Sequence, residues 1–148
     1  MSTAVWAFIG VVVGGLLTVA AQATAESLKA RAAGRARQEQ RARAAREFQR
    51  ETLIELQAAM ADYRAGLTRD RSQLLPSRAT DLQLSAARSR YQMLVYRVSS
   101  SAAREAALAW EAAALPWFQG DDAGTAAAEA EAWATAMQVT GEAIRETD

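Results

Sequence analysis

Residues 1–25 carry no charged side chain, while residues 26–50 carry eight positive and three negative ones. No other feature constrains the chain as strongly. Val5 to Ala25, wound as a helix, would rise about 31 Å, the thickness of a bilayer's hydrocarbon core. Trp6 stands near its outer end, where an indole favours the headgroup region. Lys29, Arg31, Arg35 and Arg37 follow the segment, and Arg41, Arg43, Arg46 and Arg50 prolong the run. The positive-inside rule orients such a segment with its N-terminus outside and everything after it in the cytoplasm. The expectation is therefore a single-pass protein of the cell membrane, with residues 1–25 as an uncleaved anchor. A cleaved secretory signal is the competing reading, because Ala21-Gln22-Ala23 and Ala23-Thr24-Ala25 resemble cleavage sites. Such a signal would need a positive n-region, and here arginines crowd the far side instead. A buried core helix is a third reading, for which the run is long.

Gly10, Gly14 and Thr18 recur every four residues within this segment. Small residues at that spacing form a groove in which two membrane helices approach closely, so they are the candidate positions for self-association of the anchor. Glycine is also common in membrane helices for its own sake, and the motif is a weak one.

Residues 26–47 read as a basic juxtamembrane helix or stalk. They include almost no large apolar side chain, so they have little to bury. Lys29, Arg31, Arg35 and Arg37 are placed to meet anionic headgroups, each contributing about 1 kcal/mol near such a surface. A basic tract also suits nucleic acid, but a position directly after an apolar segment already accounts for it, and nucleic acid is not an expected partner.

Alanine makes up about a quarter of the chain, Lys29 is the sole lysine among the 17 basic residues, and only eight glycines and two prolines occur. That mixture favours helix throughout. No proline precedes Pro76, and Gly34 is the one glycine between Gly15 and Gly66. The anchor should thus continue as one helix to about residue 65. The fold expected is all-α: a single N-terminal transmembrane helix continuing into a long helix, followed by a small antiparallel bundle over residues 48–148.

Within that bundle, Leu53, Leu56, Met60, Tyr63 and Leu67 recur at steps of three and four, the spacing of a helix-pairing seam. Phe48, Thr52 and Ala59 fall on the same side. Ile54, Ala58, Ala61 and Ala65 form a second, smaller apolar face almost opposite. A helix with two such faces is usually central in a bundle or shared with a partner. Gly66 is the expected terminator, and Thr68 to Thr80, with Pro76, the first loop. Thr80 or Asp81 would cap the next helix, whose core line is Leu84, Ala87, Tyr91, Leu94 and Val98, with Leu82, Met93 and Tyr96 on another side. Ser99-Ser100-Ser101 should break that helix or cap a following one. Leu115 to Gly120 would end the latter. Asp122 or Thr125 would start a last helix with Ala126, Ala130, Trp133, Met137 and Ile144 on one face. Trp117 and Phe118, beside Pro116 in a loop, would either tuck under the bundle or form a partner patch. Arg90, Arg97 and Arg104 make a possible basic line, and Glu131, Glu142 and Glu146 an acidic strip. Whether the two meet within a chain, across an oligomer or not at all is left open by the spacing.

The chain has no Cys and no His. Thiolate chemistry is excluded, and the usual zinc ligands and general bases are missing. No glycine-rich phosphate cradle occurs, Asp121 and Asp122 suit a helix start, and Glu129 and Glu131 point to different sides of a helix. No catalytic, cofactor or metal site is expected. The reading is a membrane-tethered, non-enzymatic interaction or scaffold protein, self-associating and offering a helical surface to a cytoplasmic protein partner. The alternative is a small membrane-perturbing protein, holin-like or toxin-like, whose anchor oligomerises. The anchor has no charge with which to line a polar pore, which weighs against it.

Overall fold

The computed structural model describes residues 3–72, 78–121 and 124–147, with side chains described for Lys29 and from Arg31 onward. Four helices account for them: α1 (Thr3–Ser72), α2 (Arg78–Arg97), α3 (Ser101–Gln119) and α4 (Ala126–Glu146). There is no strand among the described residues, so the fold is all-helical. The chain divides into two units, Met1–Ala44 and Ala45–Asp148.

In the first unit, every described side chain from Arg31 to Ala44 is exposed. At about 100° per residue, Arg31, Arg35, Arg37, Arg41 and Arg43 fall on all sides of the helix. The helix passes through Gly34, where a methyl group would meet nothing within 4 Å. Among the described residues, no helix is long and apolar enough to cross a membrane. The anchor expected over residues 1–25, with Gly10, Gly14 and Thr18, depends on side chains that lie outside the described residues.

In the second unit the rest of α1 joins α2, α3 and α4 in an up-down-up-down bundle. Cross-helix contacts set the order. Arg90–Asp62 and Arg69–Gln83 tie α2 to α1. Arg88–Glu111 and the Tyr91 hydroxyl on the Ala107 carbonyl tie α2 to α3. Trp110 reaches Glu129 from α3 to α4, and Arg64–Glu129 and Gln57–Met137 tie α4 back to α1. Along each pair, rising numbers on one helix meet falling numbers on the next, so neighbours are antiparallel. The core is the seam Leu53, Leu56, Met60, Tyr63 and Leu67 packed on Tyr91, Leu94 and Val98, with Ala103, Ala107, Trp110 and Ala114 from α3. Leu84 and Ala87 pack at its edge. Both expected lines of α1 and α2 therefore face inward, because three-and-four spacing keeps them on one side of each helix.

The ends of the elements differ in places from expectation. Gly66 does not stop α1, which runs on to Ser72. Gly66 instead lies against α2, where a Cβ would come within 3.0 Å of the Leu84 Cδ1. The polar residues expected to form a loop from Thr68 close the helix: the Thr68 hydroxyl donates to the Arg64 carbonyl at 2.9 Å and Ser72 to that of Arg69 at 2.8 Å. Thr80 and Asp81 lie inside α2, which begins at Arg78. The serine break is present. Ser100 caps α3 by accepting from the Ala103 amide at 3.3 Å, and the Arg104 guanidinium covers the Val98 carbonyl at 2.6 Å.

Pro116 sits inside α3 rather than ending it. The stop comes at Gly120, whose φ of 76° is the left-handed region that favours glycine. Its amide donates to the Trp117 carbonyl at 3.3 Å and that of Asp121 to the Pro116 carbonyl at 2.9 Å, a Schellman closure. Thr125 caps α4, its hydroxyl accepting from the Ala128 amide at 3.1 Å. The buried line of α4 is Glu129, Ala136, Thr140 and Ala143, with Ala132, Trp133 and Ile144 packed beside it. Ala126 and Ala130 are exposed. The expected face is thus rotated, because a carboxylate takes the inward position that apolar periodicity alone would not assign it.

Candidate functional site

The most distinctive chemistry in the bundle is one buried carboxylate. Glu129 is 3 % exposed, and an ion in that position costs several kcal/mol unless it is met. Arg64 meets it in a fork, Nε to Oε1 at 2.8 Å and Nη2 to Oε2 at 2.8 Å. The Trp110 indole donates to Oε1 at 3.0 Å. Burial pushes the Glu129 carboxyl up, but the hydrogen bonds from Arg64 and Trp110 and the arginine charge outweigh it and hold the group below the usual range. The Arg64 guanidinium also lies 4.7 Å from the centre of the Trp133 ring. Three elements converge here: α1 supplies the cation, α3 the indole and α4 the acid. Both carboxylate oxygens are engaged, so the group acts as a cross-brace, and it is charged at neutral pH.

An aromatic cluster adjoins it. The Trp110 ring stands edge-on to Tyr63 and to Tyr91, each 5.8 Å away, and 5.2 Å from Trp133. The Tyr91 hydroxyl donates to the Ala107 carbonyl at 2.7 Å. Burial pushes the pKa of both tyrosine hydroxyls up and so suppresses their ionisation; for Tyr63 the Arg88 charge opposes that rise and Glu111 adds to it. Glu111 lies 3.4 Å from Arg88. Beside this group a cavity of about 340 Å³ opens between α1, α2 and the end of α3, lined by Tyr63, Leu67, Leu84, Arg88, Leu115 and Phe118 among others. Its walls combine apolar surface with the Asp70 and Asp81 carboxylates and with Arg88, which is paired with Glu111. Among the described residues, no three acidic side chains converge as a metal cage would require.

The residues singled out by sequence fall as follows. Lys29, Arg31, Arg35 and Arg37 are exposed on α1. The five seam residues are all buried against helices of the same chain, so their surface is occupied while the bundle is folded. Trp117 and Phe118 occupy the last turn of α3, both half-buried. Arg71 covers the Trp117 ring at 3.5 Å and donates to the Trp117 carbonyl, while Phe118 packs on the core. Arg90 pairs with Asp62 at 3.5 Å and Arg97 lies over Phe48 at 5.2 Å. The acidic strip of α4 is not near them, since α2 and α4 occupy opposite corners of the bundle. Glu142 bonds Gln138 within its own helix.

The second apolar face of α1 is outward: Ile54, Ala58, Ala61 and Ala65 are all exposed, as are Leu82, Met93 and Tyr96 of α2. Sequence reasoning set Glu129 aside as one of two acids on different sides of a helix and did not single out Arg64, because their partnership spans 65 positions. The one local sign was an acid at the inward position of an otherwise apolar stripe. Comparison with known proteins finds no matching family model, no matching curated protein and no matching solved structure.

Proposed function

We propose that this chain is a membrane-tethered, non-enzymatic interaction protein: an anchor over residues 1–25, a basic stalk, and a four-helix bundle held on the cytoplasmic side. The observation that carries the reading is the one-sided charge step. Twenty-five uncharged residues are followed by a helix whose described side chains are exposed and basic on every side. A helix with no apolar face does not lie embedded in a bilayer surface as an amphipathic helix does. It suits a stalk, with Lys29, Arg31, Arg35 and Arg37 beside anionic headgroups and setting the orientation. Self-association belongs to the same reading. Gly10, Gly14 and Thr18 would let two anchors approach, and the bundle carries exposed apolar faces that can take a protein partner. The paired state of Glu129 supports a structural role for that residue, since three donors already engage its two oxygens within the fold.

Reporter fusions test it. Alkaline phosphatase placed after Asp148 should be inactive and a fluorescent protein there bright, with the chain recovered in membranes. The reverse pattern, or a mature chain starting at Glu26, overturns the topology. Rapid loss of membrane potential on expression would transfer the case to the membrane-perturbing alternative.

A further inference from the structure

Large apolar side chains that stand exposed are concentrated on two neighbouring helices. Among the described residues these are Phe48 and Ile54 on α1 and Leu82, Met93 and Tyr96 on α2, with Leu108 alone on α3. Leu82, Met93 and Tyr96 are 65 %, 54 % and 73 % exposed. With Ala86 and Ser89 they recur at steps of four and three, so they share one face of α2. Ile54, Ala58, Ala61 and Ala65 share one face of α1 by the same spacing. One face is built of large residues and the other mostly of small ones. The charges along them also differ in sign over most of their length: Glu51, Glu55 and Asp62, followed by Arg69, border the α1 face on the side toward α2, and Arg90 and Arg97 border the α2 face on the side toward α1.

We propose that this α1–α2 layer is where two copies of the chain meet, about a two-fold axis parallel to the helices, with α1 of each copy lying along α2 of the other. The proposal rests on the self-association reading above and names its surface. Such an axis makes the contact self-complementary and preserves height along the bundle. Asp62 is level with Arg90, and Arg69 with Gln83, so Ala58 of one copy comes opposite Met93 of the other, and Glu55 opposite Arg97. Large residues then fill the space left by small ones, and acids face arginines. Packing α1 on α1 would oppose acid to acid, and α2 on α2 arginine to arginine, so charge complementarity selects the crossed arrangement. The parallel axis also lets both bundles leave toward one bilayer from their residue-45 ends.

The chain has no native cysteine, so introduced thiols report cleanly. Full-length Ala58→Cys and Met93→Cys copies, co-expressed and oxidised in membranes, should give a mixed disulfide dimer at least tenfold above either copy alone. Met93→Asp should weaken association of the full chain in detergent at least tenfold, with an unchanged melting curve because the side chain lies on the surface. Arg97→Glu and Glu55→Arg should each weaken it, and the double change should restore it. A wild type that associates while the mixed disulfide fails to form and Met93→Asp has no effect overturns this surface and leaves self-association standing. A dominant Ala58→Cys homodimer overturns the crossed arrangement. A wild type that stays monomeric at every concentration overturns the self-association reading itself.

Discussion

A carboxylate taken out of water is tolerated only when donors replace the water, and Glu129 has three of them on two side chains. Removing the acid would strand Arg64, whose side chain remains 35 % exposed. Breaking a fully buried pair costs about 3–5 kcal/mol, and partial solvation of the arginine softens that, so Glu129→Ala should destabilise the bundle by about 2–4 kcal/mol in a denaturant melt. The pH dependence has a definite sign. The folded pKa of Glu129 lies below its unfolded value of about 4.3, so its stabilisation is complete above that pH and disappears as pH falls through the folded value. At the alkaline end, Tyr63 and Tyr91 ionise more readily in the unfolded chain. Stability should therefore decline from about pH 10 upward. Melting curves measured across pH should show the acid limb removed in Glu129→Gln and the alkaline limb retained. At residue 129 itself the one legible sign was an acid on an otherwise apolar stripe. An acid among alanines reads as surface, and the arginine and indole that reverse the reading are brought in by two other helices.

At the level of the element, α3 is thin where α1 and α2 are thick. Ala103, Ala107 and Ala114 are buried with only Trp110 as a large side chain on that line, so its neighbours approach closely and extra volume has nowhere to go. Ala107→Leu should cost about 1–3 kcal/mol through overpacking, read as a lower denaturation midpoint with an unchanged slope. The far end of the same helix depends on two glycines for different reasons. Gly120→Ala meets only the positive φ and should cost about 1 kcal/mol. At Gly124 a methyl group would collide with the backbone of Pro116 and Trp117, so Gly124→Ala should be the more damaging of the two in the same assay. The seam on α1 and the line on α2 were legible because regular spacing of large residues needs no knowledge of the partner. Gly66 and Pro116 misled for a shared reason. Each is a breaker when considered locally, but Gly66 is used for close approach to α2, and Pro116 is carried inside α3, whose stop comes only at Gly120.

For the whole molecule, the balance of 17 basic and 17 acidic residues conceals a polarity along the chain. Residues 26–50 hold eight of the positive charges, and residues 105–148 hold nine negative charges against one positive. If the basic flank sets orientation, replacing Lys29, Arg31, Arg35 and Arg37 together by Gln should turn a uniform phosphatase-fusion result into a mixed one; an unchanged result would assign orientation elsewhere. The step in charge at residue 26 was readable directly, because it requires only composition and order. The closing of the bundle was readable only as a count of amphipathic segments, since which corner each helix occupies depends on contacts such as Arg64–Glu129 that no local pattern announces. The aromatic cluster carries a practical consequence for following that closure. Two of the three tyrosines, Tyr63 and Tyr91, lie within 5.8 Å of Trp110, close enough for their excitation to pass to the indole before they emit. The native bundle should therefore be nearly dark in tyrosine fluorescence apart from Tyr96, and separation of the helices should switch that emission on. The chain thus contains its own optical gauge of assembly, with no dye to attach.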